Sequence, residues 1–286
     1  MRLHIVGAGK MGLPMARHFA AAGHAVSVHD ADAQRLALAR AAGLEVAAAG
    51  LASADVVLSS LPHDAALLAV GEEVARGAPR GALYVDTSTV SQEASARVAA
   101  QCDAAGVRYL RATVSGNNHM AEAAQLRVMA SGPREAYEAA LPLFRLLGPA
   151  QFYLGDAEQA RLMKLVVNLM IAQTSAMLAE ALALGRKGGL QWSDMWEVLG
   201  ASAVASPIVK AKAVQLSRRD FTPTFTVEQM TKDLGLILDA GAVAHVPLPQ
   251  TAATLQLMQA AIAQGDGGAD YAAIIKTVER AAGLVP

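Results

Sequence analysis

A lysine and an asparagine one turn apart on a helix can exchange a proton with a single ligand oxygen and hold it in place. Lys164 and Asn168 form such a pair, inside a helical pattern that runs from Ala157 to Lys187. Side chains at i and i+4 share a face, so both can reach one ligand. A free lysine, with a pKa near ~10.4, is a proton donor but a poor base at neutral pH. Burial together with a cationic neighbour would bring it toward ~7–8, where it serves both directions. Taken alone, the pair reads more simply as a solvated lysine and a surface asparagine, because lysines are seldom buried. Chemistry needs a second component to act with, and the N-terminus supplies a candidate.

Gly7-Ala8-Gly9-Lys10-Met11-Gly12 has the spacing of a dinucleotide-binding turn. In such a turn the first glycine makes the bend after a strand. The second lets the backbone approach a pyrophosphate, and the third lets the following helix pack on the sheet. The N–H groups and dipole of that helix start favour the phosphate charge. A glycine pattern alone is weak. Here it follows a strand, opens a helix, and is joined by Asp30 at the end of the second strand, 21 positions after Gly9. A carboxylate there accepts hydrogen bonds from the adenosine ribose and repels a 2′-phosphate, which favours NAD. Arg35, a few positions on, keeps NADP as the alternative.

These residues need a scaffold, and the first half of the chain alternates strands and helices. Strands are expected at Leu3–Val6, Ala25–His29, Asp55–Ser60, Ala82–Asp86 and Tyr109–Val114, with Leu126–Ala130 and Phe152–Leu154 extending the sheet. Helical patterns at Leu13–Ala22, Ala33–Ala42, Asp64–Ala75 and Ser91–Ala104 separate the first five. That alternation implies a doubly wound, mostly parallel sheet. From Ala157 the strand signal disappears. One long helix ends at Gly188-Gly189, and shorter ones follow at Trp192–Leu199, Val209–Ser217, Val227–Ala244, Thr251–Gln264 and Tyr271–Ala281. The fold class is therefore α/β: a Rossmann dinucleotide-binding domain over residues 1–156, then an all-α domain over 157–286 with one long helix. Leu165–Leu184 would be long enough to span a bilayer, but Asn168, Gln173, Thr174, Ser175 and Glu180 interrupt it. A helix this apolar on several faces is expected to pack against a second subunit, giving a homodimer or homotetramer.

Composition excludes several other classes. The net charge is −1 and 4% of the 286 residues are aromatic, so no basic, aromatic-rich platform for nucleic acid is expected. No membrane association and no metal site are expected, since the seven histidines do not cluster with carboxylates at ligand spacing. Cys102 is the single cysteine and reads as a small buried hydrophobe; with no signal-peptide pattern at the N-terminus, the expected location is cytoplasmic. Trp192, Trp196, Phe221 and Phe225 read as packing residues, and His119 as a solvent-facing loop residue.

Across essentially its whole length the chain resembles the β-hydroxyacid dehydrogenases, the 3-hydroxyisobutyrate dehydrogenase-like family of the 6-phosphogluconate dehydrogenase superfamily. The blocks that carry the resemblance are Gly7–Ala16, Val114-Ser115-Gly116, Lys164 with Asn168, and Lys232-Asp233-Leu234; Leu61-Pro62 and Asp86-Thr87-Ser88-Thr89 are weaker matches. The resemblance implies an oxidoreductase that interconverts a small 3-hydroxy acid and its semialdehyde or keto form. It implies Lys164 as the acid/base and Asn168 as the residue holding the substrate oxygen. Ser115, Gly116 and Asn117 would line the substrate carboxylate site, and Leu61, Pro62, Thr89 and Lys232 would contact the cofactor near its nicotinamide.

Two departures stand out in Arg111-Ala112-Thr113-Val114-Ser115-Gly116-Asn117-Asn118, where the family commonly has Asp-Ala-Pro-Val-Ser-Gly-Gly. Arg111 reverses a charge expected behind the site. Asn117 replaces a glycine, and asparagine tolerates positive φ well enough to preserve such a loop. Asn117 and Asn118 together would re-polarise the acid-binding corner, so the expected substrate is not the branched acid 3-hydroxyisobutyrate but a different or more polar hydroxy acid. Two alternatives remain open: an imine reductase-like enzyme, against which Lys164 argues, and a non-catalytic NAD-binding scaffold or sensor.

Overall fold

Short runs that are apolar at every position need burial on both faces, and a sheet with helices on either side provides it. The computed structural model describes residues 1–47 and 50–285. The chain divides into two compact units, Met1–Lys164 and Leu165–Pro286.

In the first unit the elements run β1 (Arg2–Val6), α1 (Gly12–Ala21), β2 (Ala25–His29), α2 (Ala33–Ala41), β3 (Glu45–Val46), β4 (Val56–Ser59) and α3 (Asp64–Gly77). They continue through β5 (Leu83–Asp86), α4 (Gln92–Ala105), β6 (Arg108–Ser115), α5 (Asn118–Glu122), β7 (Arg127–Ser131), α6 (Arg134–Arg145) and β8 (Ala150–Tyr153). Among the described residues the sheet has eight strands in the order β3-β2-β1-β4-β5-β6-β7-β8. Neighbours are parallel throughout, except for the antiparallel pair β6 and β7. Adjacent residues feed opposite cores. Leu58, Val85 and Leu110 join Phe19 and Phe144 on one face, while Val57, Tyr84 and Tyr109 join Val98 and Cys102 on the other.

Three elements go beyond the sequence reading. The edge strand β3 is two residues long, too short to leave a periodic signal. Helix α5 follows the substrate loop directly. Helix α6 provides the crossover that parallel β7 and β8 require. It buries Ala136, Tyr137, Ala140, Leu143 and Phe144, with Pro133 at its start and Pro142 inside it.

Helix α7 (Gln159–Lys187) is 29 residues long and ends where Gly189 takes a left-handed φ of 86°. It is long and apolar enough to cross a membrane by length and composition. Its first residues, through Lys164, belong to the first unit and the remainder to the second. The second unit continues with α8 (Trp192–Ala201), α9 (Pro207–Leu216), α10 (Val227–Val243), α11 (Pro249–Ala263) and α12 (Ile274–Ala281). Ala172, Ala179 and Leu182 of α7 are buried with Trp196, Leu234, Met258 and Ile274 in its core. Trp192 and Trp196 pack edge to face at 5.8 Å, and Phe221 and Phe225 lie half-buried against the same core.

Candidate dinucleotide and proton-transfer site

The strand order reverses between β1 and β4, which is where ligands bind at the carboxyl ends of such a sheet. The turn after β1 is built by close approach. Gly7 has φ 98°, and a Cβ there would stand 2.3 Å from the Ser60 carbonyl oxygen; a Cβ on Gly12 would stand 1.8 Å from the Gly7 oxygen. Beside Gly9 the space is open, the nearest atom being the Arg35 guanidinium at 3.9 Å. Met11 places no side-chain cap on α1; in its first turn Leu13 and Met15 donate to the Gly9 and Met11 carbonyls at 3.1 and 3.3 Å and Pro14 carries no N–H, so the Gly12 N–H and the helix dipole face the same opening. Ala8 is buried and Lys10 is exposed beside it. A gap that a Cβ would enter, next to an uncapped helix start, fits a dinucleotide pyrophosphate.

Asp30 has a structural task as well. One carboxylate oxygen accepts the Ala8 N–H at 2.7 Å, and the other accepts the Asp32 N–H at 2.8 Å. It thereby holds the glycine turn against the end of β2. Arg35 reaches both Asp30 at 3.5 Å and Asp32 at 3.6 Å. Two carboxylates around one guanidinium leave this corner net negative, which disfavours a 2′-phosphate.

The two loops expected near the nicotinamide are tied to one another. Leu61, just after β4 and followed by the exposed Pro62, donates its N–H to Ser88 Oγ at 2.8 Å. The Ser88 hydroxyl in turn donates to Asp86 at 2.6 Å, at the end of β5. Thr89, half-buried, comes next.

Lys164 is half-buried and donates from Nζ to the Val114 carbonyl at 2.9 Å. Val114 immediately precedes Ser115, so the lysine nitrogen sits at the root of the Ser115-Gly116 loop. Several contacts place the helix start that carries it. Thr113 Oγ1 donates to the Ala160 carbonyl at 3.0 Å, and Ser131 Oγ accepts the Ala160 N–H at 3.0 Å. Arg111 pairs with Glu158, and Arg161 pairs with Asp86.

These contacts correct the reading of the substrate loop. Arg111, expected to reverse a charge behind the site, is buried and neutralised there by Glu158, and it lies over the Tyr109 ring at 4.8 Å. Like Thr113, it clasps α7 because alternate residues of β6 face that helix. Asn117 has φ −99°, so the loop does not ask it for the left-handed region; Gly116, at φ 137°, takes that burden. Asn117 caps α5, its Oδ1 accepting the Met120 N–H at 3.0 Å. His119 on α5 is exposed.

In the second unit, buried Asn168 donates Nδ2 to Asp233 at 2.5 Å. Lys232 Nζ lies 2.7 Å from the other oxygen of the same carboxylate, a charge contact without hydrogen-bond alignment. One fully buried aspartate thus stands beside both the Asn168 amide and the Lys232 ammonium group. Asp233 was legible as part of a motif but not as the residue that orients Asn168. Asp86 and Ser88 were legible only as a weak motif match, and Arg161 and Glu158 only as charges, since nothing in sequence distinguishes a buried arginine from a solvated one. Cys102 is fully buried, and burial pushes its thiol up to about 12, an inert group at neutral pH.

Residues 2–155 match the NAD binding domain of 6-phosphogluconate dehydrogenase, and residues 159–278 match the NAD-binding of NADP-dependent 3-hydroxyisobutyrate dehydrogenase. The 2-(hydroxymethyl)glutarate dehydrogenase of Eubacterium barkeri is 32% identical over 99% of this chain and 97% of its own. The chain belongs to the β-hydroxyacid dehydrogenase family. It is an NAD(P)-dependent oxidoreductase of that family. The 3-hydroxyisobutyrate dehydrogenase of Mycobacterium tuberculosis superposes with a TM-score of 0.89 at 27% identity, covering 97% of this chain and 98% of its own. An imine reductase from Pseudomonas sp. shares the fold more distantly, with a TM-score of 0.63 at 21% identity over 96% of this chain and 98% of its own.

Proposed function

We propose that this β-hydroxyacid dehydrogenase interconverts a small, polar 3-hydroxy acid and its semialdehyde or keto form, using NAD in preference to NADP. The observation that carries the reading is the Lys164 ammonium nitrogen held 2.9 Å from the Val114 carbonyl, at the root of the Ser115-Gly116 loop. Gly7, Ala8, Gly9, Lys10, Met11, Gly12 and Asp30 would hold the dinucleotide, with Leu61, Pro62, Thr89 and Lys232 as contacts near its nicotinamide, and the bound cofactor would supply the hydride-transfer chemistry.

The chain's own residues handle the oxygen and its proton. In oxidation, neutral Lys164 takes the hydroxyl proton as the carbon gives up its hydride. In reduction, the lysine ammonium returns that proton to the developing alkoxide. Asn168 commits one Nδ2 hydrogen to Asp233, which fixes the amide and leaves its second hydrogen for a substrate oxygen. The hydroxyl of Ser115 and the N–H groups of Ser115 and Gly116 receive the substrate carboxylate. Asn117 spends its Oδ1 on α5 and offers its Nδ2, a donor suited to a second carboxylate or hydroxyl on the substrate. The dicarboxylate named for the Eubacterium barkeri relative has that chemistry.

The test is a spectrophotometric panel with NAD and NADP, run on the wild type and Lys164→Ala. It sets 2-(hydroxymethyl)glutarate beside 3-hydroxyisobutyrate. Wild-type turnover should favour the dicarboxylate, and Lys164→Ala should lower kcat by about 10²–10⁴-fold while NADH still binds. Retention of most activity in the variant would remove Lys164 as the acid/base. Efficient use of 3-hydroxyisobutyrate would remove the polar-substrate reading.

We further propose a homodimer or homotetramer formed through α7. Met163, Val166, Met170, Met177 and Leu184 are exposed along it at spacings of three, four and seven residues, an apolar stripe of the kind that helices bury against each other.

A further inference from the structure

Arg161 is fully buried in the first unit, three residues before Lys164, and every nitrogen of its guanidinium is used. Nη1 donates to the Ser88 carbonyl at 2.6 Å, Nε to Ser95 Oγ at 3.2 Å, and Nη2 to both Asp86 and the Tyr109 hydroxyl, the latter at 3.0 Å. Asp86 is equally enclosed. Ser59 Oγ donates to it at 2.5 Å, and both the hydroxyl and the N–H of Ser88 donate to it at 2.6 and 3.2 Å. Since Ser59 spends its one hydrogen on Asp86, the Tyr84 hydroxyl 2.9 Å away is the donor to Ser59. Burial opposes the charge on Arg161, and Asp86 and Tyr109 more than offset it, so the guanidinium stays above its ordinary pKa.

Stability does not explain such a pair. Replacing a buried ion pair by apolar side chains of similar volume is often neutral or favourable, whereas removing one partner strands a charge and destabilises by about 3–5 kcal/mol. What the charged pair supplies is direction. The planar fork of Arg161 fixes the first turn of α7 against the end of β5, and Ser88 passes that constraint to the Leu61 N–H. The loops at Leu61-Pro62 and Asp86–Thr89 and the helix bearing Lys164 therefore share one anchor.

We propose that Arg161 and Asp86 are positioning residues that set the register between the proton-exchanging helix and the two loops at the hydride-transferring end of the cofactor. The proposal rests on the reading of Lys164 as the acid/base and of Leu61, Pro62 and Thr89 as cofactor contacts. Displacing reacting groups by about 1 Å is enough to lose on the order of 10²-fold in rate.

The test compares Arg161→Met, Arg161→Lys and the charge-free double variant Arg161→Met/Asp86→Leu with the wild type. Thermal midpoint, NADH Kd by fluorescence, kcat, and the rate ratio for substrate protiated or deuterated at the oxidised carbon are measured. Arg161→Met alone should lose thermal stability. The double variant should recover it, yet lower kcat at least 30-fold and raise the deuterium effect as hydride transfer becomes limiting. Arg161→Lys keeps the charge but not the fork, and should fold while lowering kcat at least tenfold. If the double variant folds and keeps kcat, NADH Kd and the deuterium effect within twofold, the pair is structural and the proposal falls. If the double variant does not fold, Arg161→Lys decides by the same twofold criterion. Lys164→Ala separates the two ideas: if it stays active, the acid/base reading fails whatever the Arg161 variants do.

Discussion

Asp233 is one buried carboxylate in contact with two of the proposed site residues. It accepts the Asn168 amide at 2.5 Å and has Lys232 at 2.7 Å, and it is fully enclosed. A charged acceptor makes a hydrogen bond roughly twice as strong as a neutral one. Asp233→Asn should therefore leave the shape intact, lower kcat/KM about tenfold and weaken NADH binding through Lys232. Steady-state kinetics beside a fluorescence titration will check this, and unchanged values in both would remove the orienting role. Asp30 makes a matching case at the cofactor's other end. Because it also holds the Ala8 N–H, Asp30→Ala should weaken NAD about 10–100-fold and narrow the gap to NADP. An unchanged NAD/NADP ratio of kcat/KM would place the discrimination elsewhere.

At the scale of elements, the start of α7 is held by β6 through Arg111 and Thr113, by β7 through Ser131, and by the end of β5 through Asp86. Lys164 is placed by these ties rather than by helix propensity. The central strand β1 carries a different consequence. His4 is buried there with Nδ1 2.9 Å from Ser27 Oγ, and burial, followed by the charge of His29, pulls its pKa down from 6.5 to about 4. The unfolded chain takes up this proton below about 6.5, while the folded chain resists until about 4. The stabilising contribution is therefore complete above pH 6.5 and is lost as the pH falls toward 4, a span worth about 3 kcal/mol at most. Melting temperatures across pH 7.5 to 4.5 should fall less steeply for His4→Gln than for the wild type. Parallel slopes would show that His4 does not carry this acid sensitivity.

For the whole molecule, the exposed side of α7 carries the assembly prediction. Met170, Met177 and Leu184 are 65%, 50% and 76% exposed, more than apolar side chains on a solitary helix face would be expected to present together. Met170→Glu should shift the protein toward smaller species in sedimentation velocity without lowering its helical content. A wild-type monomer, or a variant with an unchanged sedimentation coefficient, would rule out this face. The local parts of the molecule were legible in the sequence. The glycine spacing at Gly7–Gly12, the apolar runs of the parallel strands and the one-turn offset of Lys164 and Asn168 are set by backbone geometry over a few residues, so the sequence alone determined them. It also determined the family, because those blocks occur in order. Helix α6 was not among the expected helices; a proline inside a helix is unfavourable locally, and here Pro142 is tolerated within the crossover that joins parallel β7 and β8. Arg111 was read as a reversed charge behind the site because its charge was visible and its partner was not. Only the tertiary structure joined Arg111 to Glu158, Asn168 to Asp233 and Arg161 to Asp86, across 47, 65 and 75 positions. Charge is written in the sequence, but the burial and direction that give it a task arise only when distant strands and helices close around it.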